Sequence, residues 1–419
     1  MPADAPPTQQ ARRHLTDLQA FRALRHTEFR RFFIGTLLSQ LGFWFSHISF
    51  QDLMAQLTDD ELWVSMLFVV TFGPVLLIGP FGGMLVDRLD RKKVLLGCYV
   101  AIIATAATQV LLVLTDQATP ARLLVTSALV GTTMAVLGPA IGAVTANVVP
   151  GPDLPSAISL QAMSVNLSRI VGPALAAPLL ARDLFEVTWS VYLGGAALAI
   201  VIIGGVTLRP YTRDTDDIPV RARLAAGFAH ARERKPAMAA LSTVAVVSAL
   251  GVSHISLMPA FTADALGRPK GDFVWIGVAT GIGALLGALA AGSITRRATL
   301  RQGALLILPY CALLAVFSQL TSFALAVAIQ IPMGFFYIGS FTTMQVLVQQ
   351  LVDEEHRGRV MSLFQIAWAG FIPLGSLIMG LMAGGAGLDL GSSTTILVSS
   401  LVCLTWTIAV VVRSATPPD

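Results

Sequence analysis

The 419-residue sequence is 55% hydrophobic and only 12% charged, with a mean hydropathy of +0.73. Soluble globular chains carry about 25% charged residues, so a chain this long with half that share is expected in a membrane. No P-loop and no hydrolase or zinc-site spacing is present, and the three cysteines stand apart in apolar segments. We therefore expect neither an enzyme, nor a cofactor, nor a bound metal.

Apolar segments of about 20 residues, long enough to cross a hydrocarbon layer about 30 Å thick, recur along the chain. Twelve are predicted, at 31–53, 63–86, 93–114, 122–149, 157–180, 188–209, 238–262, 273–295, 302–319, 322–350, 360–383 and 392–412. The longest polar break follows the sixth segment. The sequence thus predicts an all-α polytopic membrane protein with twelve transmembrane helices in two six-helix bundles.

The domain boundaries follow from these segments. We expect a cytoplasmic N-terminal tail at 1–28, an N-terminal six-helix bundle at 29–209, a cytoplasmic linker at 210–236, a C-terminal six-helix bundle at 237–413 and a cytoplasmic tail at 414–419. The polar, Arg-bearing start has no short apolar core before a cleavage site, so no cleaved signal peptide is expected.

The distribution of Lys and Arg predicts the orientation. With the N-terminus in the cytoplasm, 23 of the 28 basic residues fall in cytoplasmic segments and four in outer loops. Cytoplasmic loops of membrane proteins are enriched in Lys and Arg, so both termini are expected in the cytoplasm, at a bacterial inner membrane. The net charge of +4 therefore reflects membrane topology, and no nucleic-acid partner is expected.

The two halves of the chain repeat. The tetrapeptide SHIS occurs at 46–49 and again at 253–256, and two further pairs of segments match in the same order at nearly the same spacing. We infer a duplicated six-helix unit. Parallel repeats of this kind are related by an axis along the membrane normal and place a substrate site at their interface, near the middle of the bilayer.

The loop after the second segment reads GMLVDRLDRKK, residues 83–93. It resembles the most diagnostic signature of the major facilitator superfamily, Gly-x-x-x-Asp-Arg-x-Gly-x-basic-basic, although Asp90 stands where that pattern has Gly. The expected gating motif comprises Gly83, Asp87, Arg88, Arg91, Lys92 and Lys93. The resemblance implies that the glycine lets two helices approach closely, and that the Asp-Arg pair latches the outward-open state. The alternative is an ordinary basic cytoplasmic loop.

The fifth segment contains SRIVGPALAA, residues 168–177. It resembles the exporter signature Gly-x-x-x-Gly-Pro-x-x-Gly-Gly, with Gly172 and Pro173 matching and small residues replacing the other glycines. The N-terminal half looks like the enterobactin-exporter and drug-efflux branch of the superfamily. The arginine that drug/proton antiporters often carry in the fourth segment has no counterpart here. Their proton relay therefore cannot be transferred residue for residue.

Ionisable residues at membrane depth are costly and usually face the interior of a helix bundle or a water-filled cavity. Arg169 lies near the middle of the fifth segment, and Asn166 shares its helical face. Two interpretations are open. The arginine attracts an anionic substrate group or pairs with a titrating acid, or it is a structural tether to another helix.

Both SHIS histidines, His47 and His254, lie in helices that line the central cavity in the superfamily, and Gln40 shares the face of the first. They are candidates for substrate or proton contact, with packing histidines as the main alternative and a metal site as a weaker one. Asp52, at the outer end of the first segment, either titrates in exchange with substrate or is a solvated charge. Six aromatic residues either wall an apolar pocket or face lipid and pack between helices: Phe43, Trp44, Phe335, Phe336, Tyr337 and Trp368.

The leading function is a secondary active exporter of hydrophobic or amphipathic small molecules, drug-like or siderophore-like, which works by rocker-switch alternating access with proton antiport. Its expected partners are a small-molecule substrate, protons and the lipid bilayer, and the expected state is a monomer. The alternative is a lipid or lysophospholipid transporter of the same fold. A non-transporting membrane scaffold is a third possibility, disfavoured because no soluble signalling domain accompanies the helices.

Overall fold

The computed structural model describes residues 21–210, 220–294, 298–385 and 387–415. Within these ranges the regular elements are helices, and no strand occurs among them. The first six, α1 to α6, are Thr27–Leu57, Glu61–Arg88, Arg91–Leu114, Pro120–Val148, Leu154–Leu180 and Phe185–Gly204. Together they form the N-terminal bundle.

The second half begins with a shorter helix, α7, at Val220–Glu233, which lies in the stretch predicted as a linker. Six long helices follow. Helix α8 spans Lys235–Asp264, and α9, α10 and α11 span Phe273–Ile294, Leu300–Phe317 and Phe323–Leu351. Helix α12 runs through Glu354–Gln365, Ile366–Gly370 and Phe371–Ala383, and α13 is Gly391–Ala415.

Eleven of the described helices are long and apolar enough to cross a membrane. Helix α1 is outside this group because polar side chains such as Gln40, His47 and Gln51 lower its hydropathy. Its 31 residues nonetheless extend about 46 Å, more than the roughly 30 Å of a bilayer core. The prediction of an all-α polytopic membrane protein is confirmed.

The two halves repeat in their packing as well as in their sequence. A Cβ atom at Gly131 of α4 would collide with the carbonyl oxygen of Thr71 on α2, and one at Gly334 of α11 would collide with that of Thr280 on α9. These are equivalent positions of the duplicated unit. In both halves, glycine lets two helix backbones approach closely, as is typical of membrane helix pairs. The glycine-rich stretch of α9 therefore serves helix packing.

The halves differ in the regularity of their helices. Helix α8 contains a π-helical turn at Val247–Gly251 followed by a 3₁₀ segment at Val252–Leu257, and α12 contains a π-helical turn at Ile366–Gly370. The Ser253 hydroxyl donates to the carbonyl oxygens of Ser248 (3.0 Å) and Ile372 (2.9 Å). Such side-chain bonds compete with the regular helical ladder. The equivalent helices α1 and α5 are α-helical throughout.

The connections between helices lie at two opposite ends of the molecule, which we call the proximal face and the distal face. The proximal face carries the turn at Arg22–Arg25, the α4–α5 connection and helix α7; there Arg22 Nε lies 3.1 Å from Asp153 Oδ1. The distal face carries the α1–α2, α5–α6 and α8–α9 connections. One apolar core lies wholly within the N-terminal half, whereas a second joins the distal ends of α1, α2, α5 and α6 to the C-terminal half. The halves are thus closed together at the distal face.

Candidate functional site

Lys270, in the α8–α9 connection, reaches across the distal face to the end of α1. Its Nζ donates to the carbonyl oxygens of Ala55 (2.6 Å) and Thr58 (3.3 Å) and lies 2.9 Å from Asp59 Oδ1. The last carbonyls of a helix lack intrahelical partners and carry partial negative charge, so the ammonium group caps α1. The hydrogen bond from Lys270 also lowers the pKa of Asp59. This contact joins one bundle to the other.

Asp52 lies one turn before Ala55 and is completely buried. Neither of its carboxylate oxygens has a hydrogen-bond partner, and a Cβ atom at Gly271 would lie only 3.1 Å from Oδ2. Glycine at 271 thus lets the loop of the C-terminal half close over the acid. The prediction of a solvated end charge is wrong, because a loop from the other half, 219 residues later in the sequence, covers the side chain.

Replacing Lys270 by Met keeps the length of the side chain but removes its charge and its hydrogen bonds to α1. We expect the balance between distal-closed and distal-open forms to shift towards open by about fivefold to thirtyfold, which corresponds to about 1–2 kcal/mol for a partly buried helix cap. The distance between spin labels at Asp116→Cys and Gln319→Cys measures this balance. Arg268→Met, in the same loop but paired with Asp272 of its own half, is the control; equal shifts in both variants would contradict the capping role.

Arg169 joins aromatic residues from both halves. Its guanidinium carbon lies 4.8 Å from the Trp44 ring centroid on α1 and 5.4 Å from that of Trp368 on α12. Trp368 Nε1 in turn donates to the hydroxyl oxygen of Tyr337 on α11 at 2.6 Å. We call these four residues the arginine clamp. Each cation–π contact contributes about 0.5–2 kcal/mol, which offsets part of the cost of a cation at membrane depth.

The clamp lies near the middle of the membrane layer. Arg169 is about 22 Å along α5 from Leu154, at 1.5 Å per residue. Its Nε is buried without a hydrogen-bond partner, and in the described part of the chain no carboxylate lies within salt-bridge distance of the guanidinium group. An unpaired, partly accessible cation between two indole rings is able to receive an anionic or strongly polar group.

Gly172, three residues after Arg169, brings α5 against α1. A Cβ atom there would lie 2.8 Å from the Trp44 Cβ and 2.9 Å from the Phe45 backbone nitrogen. The next residue, Pro173, is one of two prolines inside the helix. The exporter-like motif therefore sets the close approach that places the Trp44 ring beside the guanidinium group.

His47 lies inside the N-terminal half in an aromatic cage. Its ring centroid is 5.3–5.8 Å from those of Phe43, Trp44, Phe68 and Phe72. The imidazole is 7% exposed and its Nε2 has no hydrogen-bond partner. It borders a small cavity that Tyr192, among others, also lines. A role in substrate or proton contact stays a prediction.

His254 lies inside the C-terminal half, in the 3₁₀ segment of α8. Its Nδ1 contacts the carbonyl oxygen of Gly251, and its ring packs against Phe317 of α10 with centroids 6.2 Å apart. The two SHIS histidines therefore make these contacts within their own bundles rather than with each other. Gln40 is half-buried on α1, and the side chain of Asn166 lies outside the described residues.

The gating loop ties helices of the N-terminal half together at the proximal face. Arg91 Nη1 donates to Asn147 Oδ1 of α4 at 2.6 Å, and Lys92 Nζ donates to the carbonyl oxygen of Gly204 at the end of α6 at 2.7 Å. Asp87 lies 4.0 Å from Arg91 within the same loop. Asp90, which departs from the family pattern, caps α3 by accepting from the Lys93 backbone nitrogen at 3.0 Å.

Gly83 does not bring two helices together in this arrangement, and its expected role in close helix approach stays a prediction. A Cβ atom at Gly83 would meet nothing within 4 Å, whereas one at the preceding Gly82 would collide with the carbonyl oxygen of Ala135 on α4. The helix turns by about 100° per residue, so only Gly82 faces the neighbouring backbone. Arg88 is exposed and interacts with another group of the protein.

Comparison with known proteins shows the family to which the chain belongs. The profile described as transmembrane secretion effector, within the major facilitator superfamily, matches residues 18–418, nearly the whole chain. The chain belongs to the transmembrane secretion effector family. Its predicted membership of the major facilitator superfamily is confirmed, and the family and fold are those of transporters that span a membrane many times.

Two bacterial proteins are similar to this chain in sequence. Macrolide efflux protein A of Streptococcus pyogenes is 24% identical over 362 residues, covering 84% of this chain and 88% of that protein. The uncharacterised MFS-type transporter YfiS of Bacillus subtilis is 28% identical over 167 residues, covering 40% of this chain and 39% of that protein.

Solved structures share the fold of this chain at low sequence identity. The nucleoside transporter NupG gives a TM-score of 0.74 at 12% identity, over 92% of this chain and 98% of that one. A bacterial homologue of the human lysosomal transporter Spinster, in an inward-facing and occupied conformation, gives 0.67 at 15% identity, over 94% and 95%. Both are major facilitator transporters in fold, as this chain is.

Several residues that connect the two bundles could not be found from the sequence. Lys270 counted only as an outer-loop charge, and Gly271 had no stated role. Both act through contacts with a distant part of α1, for which a single sequence carries no local signal. Helix α7 was also missed, because its polar composition resembles that of a loop.

Proposed function

We propose that the protein is a secondary active exporter of hydrophobic or amphipathic small molecules, which works by rocker-switch alternating access and exchanges its cargo for protons. The bias of Lys and Arg towards the proximal face favours placing that face and both termini in the cytoplasm of a bacterial cell. With this orientation, the distal closure corresponds to an inward-open arrangement, and the functional unit is a single chain.

The arginine clamp is the observation that carries this proposal. It lies at mid-membrane and takes Trp44 and Arg169 from one bundle and Trp368 from the other. Rocking of the bundles about this point would separate Trp368 from the cation. A molecule bound in the clamp therefore has different contacts in the two arrangements, and such differential contacts are what couples binding to a conformational change.

The chemistry of the clamp indicates the class of cargo. Indole faces bind apolar and aromatic bodies, and the unpaired guanidinium group favours an anionic or strongly polar substituent. An amphipathic molecule of drug or siderophore type satisfies both. The full-length similarity to a macrolide efflux protein supports a drug-like cargo.

A lipid or lysophospholipid is the second candidate cargo, and the same unpaired Arg169 favours it. A phosphate headgroup would accept hydrogen bonds from the guanidinium group while the acyl chain follows the apolar helix surfaces. The two cargo classes differ in where the molecule starts, because a lysolipid enters from the bilayer and a drug can enter from water.

We place proton coupling at Asp52. Its burial without a hydrogen-bond partner favours the neutral, protonated carboxyl in the distal-closed form, because burying an unpaired ionised carboxylate costs several kcal/mol. Opening of the distal face would hydrate the Asp52 carboxyl group and allow it to release its proton. His47 and His254 are enclosed within their own bundles and take second place as proton carriers.

We assign the gating loop to the opposite arrangement. Asp87 and Arg88 stand at the proximal end of α2, on the face that would close when the distal face opens. Meanwhile Arg91 and Lys92 hold α3, α4 and α6 in position. The Asp87 carboxylate would then latch the closed proximal face in the outward-open form.

Transport of amphiphilic molecules into proteoliposomes under an imposed pH gradient tests the proposed function. The compounds are a macrolide, a lysophospholipid, and one anionic and one neutral amphiphile. We expect saturable, gradient-dependent uptake by the wild type, and a reduction of tenfold or more in Arg169→Gln for an anionic amphiphile, with a smaller reduction for a neutral one. The reason is that the amide keeps part of the side-chain volume but provides no charge. Arg122→Gln, which removes an exposed arginine at the distal end of α4, is the matched control.

Three outcomes separate the alternatives. Uptake of a lysophospholipid but of no macrolide favours the lipid transporter. Uptake of both cargo types that is identical in Arg169→Gln and wild type contradicts the clamp as a binding site. No gradient-dependent uptake of any amphiphile, from vesicles in which the protein is folded, contradicts secondary export.

A further inference from the structure

A cluster of two histidines and one aspartate lies at the proximal face, far from the arginine clamp. His230 belongs to helix α7, which links the two bundles, and Asp353 and His356 lie at the start of α12. One ligand atom from each residue can be chosen so that all three atoms lie within 4.8 Å of one another. His230 lies more than 120 positions before Asp353 and His356 in the sequence, so the spacing of the residues gave no indication of the cluster.

Close packing of the two helices holds the cluster together. A Cβ atom at Gly227 would lie 3.1 Å from the carbonyl carbon of Arg359, which shows how nearly the backbones of α7 and α12 touch. The rings of His230 and His356 are stacked, with centroids 4.1 Å apart and planes inclined by 6°. His230 Nε2 lies 3.5 Å from Asp353 Oδ2.

One ring nitrogen of each histidine in the cluster is buried without a hydrogen-bond partner. The His230 side chain is 9% exposed, and its Nε2 has no hydrogen-bond partner although it points at the carboxylate; His356 Nδ1 is likewise buried without one. Buried polar atoms in folded proteins are nearly always hydrogen-bonded, so each exception needs a reason. Asp353 is 63% exposed, which leaves an approach from solvent.

We propose that His230, Asp353 and His356 form a binding site for one divalent transition-metal ion, such as Zn²⁺, Co²⁺ or Ni²⁺, with water completing the coordination. Two imidazoles and one carboxylate suit these borderline ions, whereas Mg²⁺ and Ca²⁺ prefer all-oxygen sites. Ligand atoms about 2.0–2.2 Å from a tetrahedral zinc ion lie about 3.3 Å from one another. The His230–Asp353 separation of 3.5 Å is already close to that value. The lone pair of an imidazole lies in the plane of its ring, so one of the two stacked rings must rotate before both histidines can bind the same ion.

The protonation of the cluster suits metal binding. Burial lowers the pKa of His230, and the neighbouring Arg234 and His356 lower it further. A lowered pKa favours the neutral imidazole, which has a lone pair to donate. Metal ligation requires this neutral form.

Arg234 is the competitor of the metal ion. Its Nη2 donates to Asp353 Oδ2 at 2.6 Å, and its Nη1 lies 3.2 Å from His230 Nδ1. A divalent ion would repel this guanidinium group, and ligation through Nε2 would leave the proton on Nδ1. Arg234 must therefore swing away on binding, and its removal should strengthen the site.

A metal ion in this position would fasten helix α7 to α12. Because α7 lies on the stretch that connects the two bundles, the bound ion would restrict how far that connection can follow their relative movement. The site would thus make the conformational freedom of the protein respond to the transition-metal concentration at the proximal face. This inference does not depend on the identity of the cargo.

Cobalt titration of the full-length protein in detergent tests the site. The protein is prepared with a purification tag free of histidine and is treated with a chelator beforehand. We expect saturable absorption bands of Co²⁺ in the visible region at one ion per chain. We expect at least tenfold weaker binding in His356→Ala, and three- to tenfold stronger binding in Arg234→Gln.

His26→Ala is the control, because His26 also contacts an aspartate, Asp153, at the proximal face (2.8 Å) but has no second histidine as ligand. Its affinity for Co²⁺ should equal that of the wild type. Size-exclusion profiles establish that each variant is folded. Absence of saturable Co²⁺ binding in folded wild type, binding unaffected by His356→Ala, or weaker binding in Arg234→Gln would each overturn the proposal.

Discussion

Replacing Gly334 by Ala should destabilise the protein by about 1–3 kcal/mol, the usual cost of overpacking, or by more, because the added Cβ meets a backbone carbonyl that cannot rotate away. That carbonyl belongs to Thr280 on the facing helix α9. Helix propensity alone predicts the opposite sign, since Ala favours a helix over Gly by about 1 kcal/mol. The melting temperature and the monodisperse fraction in detergent measure the effect.

Two further variants make this test specific. Gly131→Ala disturbs the equivalent contact with Thr71 in the N-terminal half and should destabilise to a similar extent. Gly277→Ala adds the same methyl group to α9 at a position where nothing lies within 4 Å, and it should be neutral or slightly stabilising. If Gly334→Ala melts at or above the wild-type temperature, the proposed backbone contact between α9 and α11 is wrong.

The second large effect is expected at Asp52. In Asp52→Asn the side chain keeps its shape but cannot ionise, so the proposed distal closure over Gly271 would persist at every pH. We expect uptake driven by a pH gradient to fall at least tenfold, while cargo still binds from the proximal side with an affinity close to that of the wild type. Flux in proteoliposomes and equilibrium cargo binding in detergent are the two measurements.

The loss of flux with retained binding distinguishes coupling from folding. Asp116→Asn is the matched control, since Asp116 is exposed on the same face and has a φ of 52°, a conformation that asparagine adopts readily. Its flux should equal that of the wild type. Wild-type pH dependence in Asp52→Asn would move the coupling role elsewhere, with Asp183 and Asp272, two carboxyl groups near Asp52, as the next residues to test.

The helices could be predicted from the sequence because their signal is local. A run of about 20 apolar residues crosses a bilayer as a helix, because a helix forms all its backbone hydrogen bonds within the segment. The duplicated SHIS segments correctly indicated two equivalent bundles. The only long helix that lies below the hydropathy of a typical span in the described chain is α1, and it is the helix that supplies Trp44, His47 and Asp52.

The site was predictable only as a set of candidates. Arg169 could be identified because a charged side chain at membrane depth carries a high free-energy cost. Its neighbours Trp44 and Trp368, however, lie 125 and 199 residues away in sequence. The burial of Asp52 likewise depends on Gly271. In this arrangement Gly82, and not the adjacent Gly83, contacts a neighbouring helix backbone, because helix rotation separates adjacent residues. Tertiary packing decides each of these contacts, and one sequence does not encode it locally.

The irregular segments of α8 and α12 mean that the duplicated bundles have diverged in mechanical stiffness. A π-helical turn or a 3₁₀ segment has weaker hydrogen-bond geometry than an α-helix, so bending concentrates there. The C-terminal bundle then bends at these irregular segments, whereas α1 and α5, the equivalent helices of the N-terminal bundle, have no such segments. Trp368 lies within one of these irregular turns. If cargo binds in the clamp as proposed, bending at this turn would let one wall adjust to cargoes of different size while Trp44 and the gating loop stay in place.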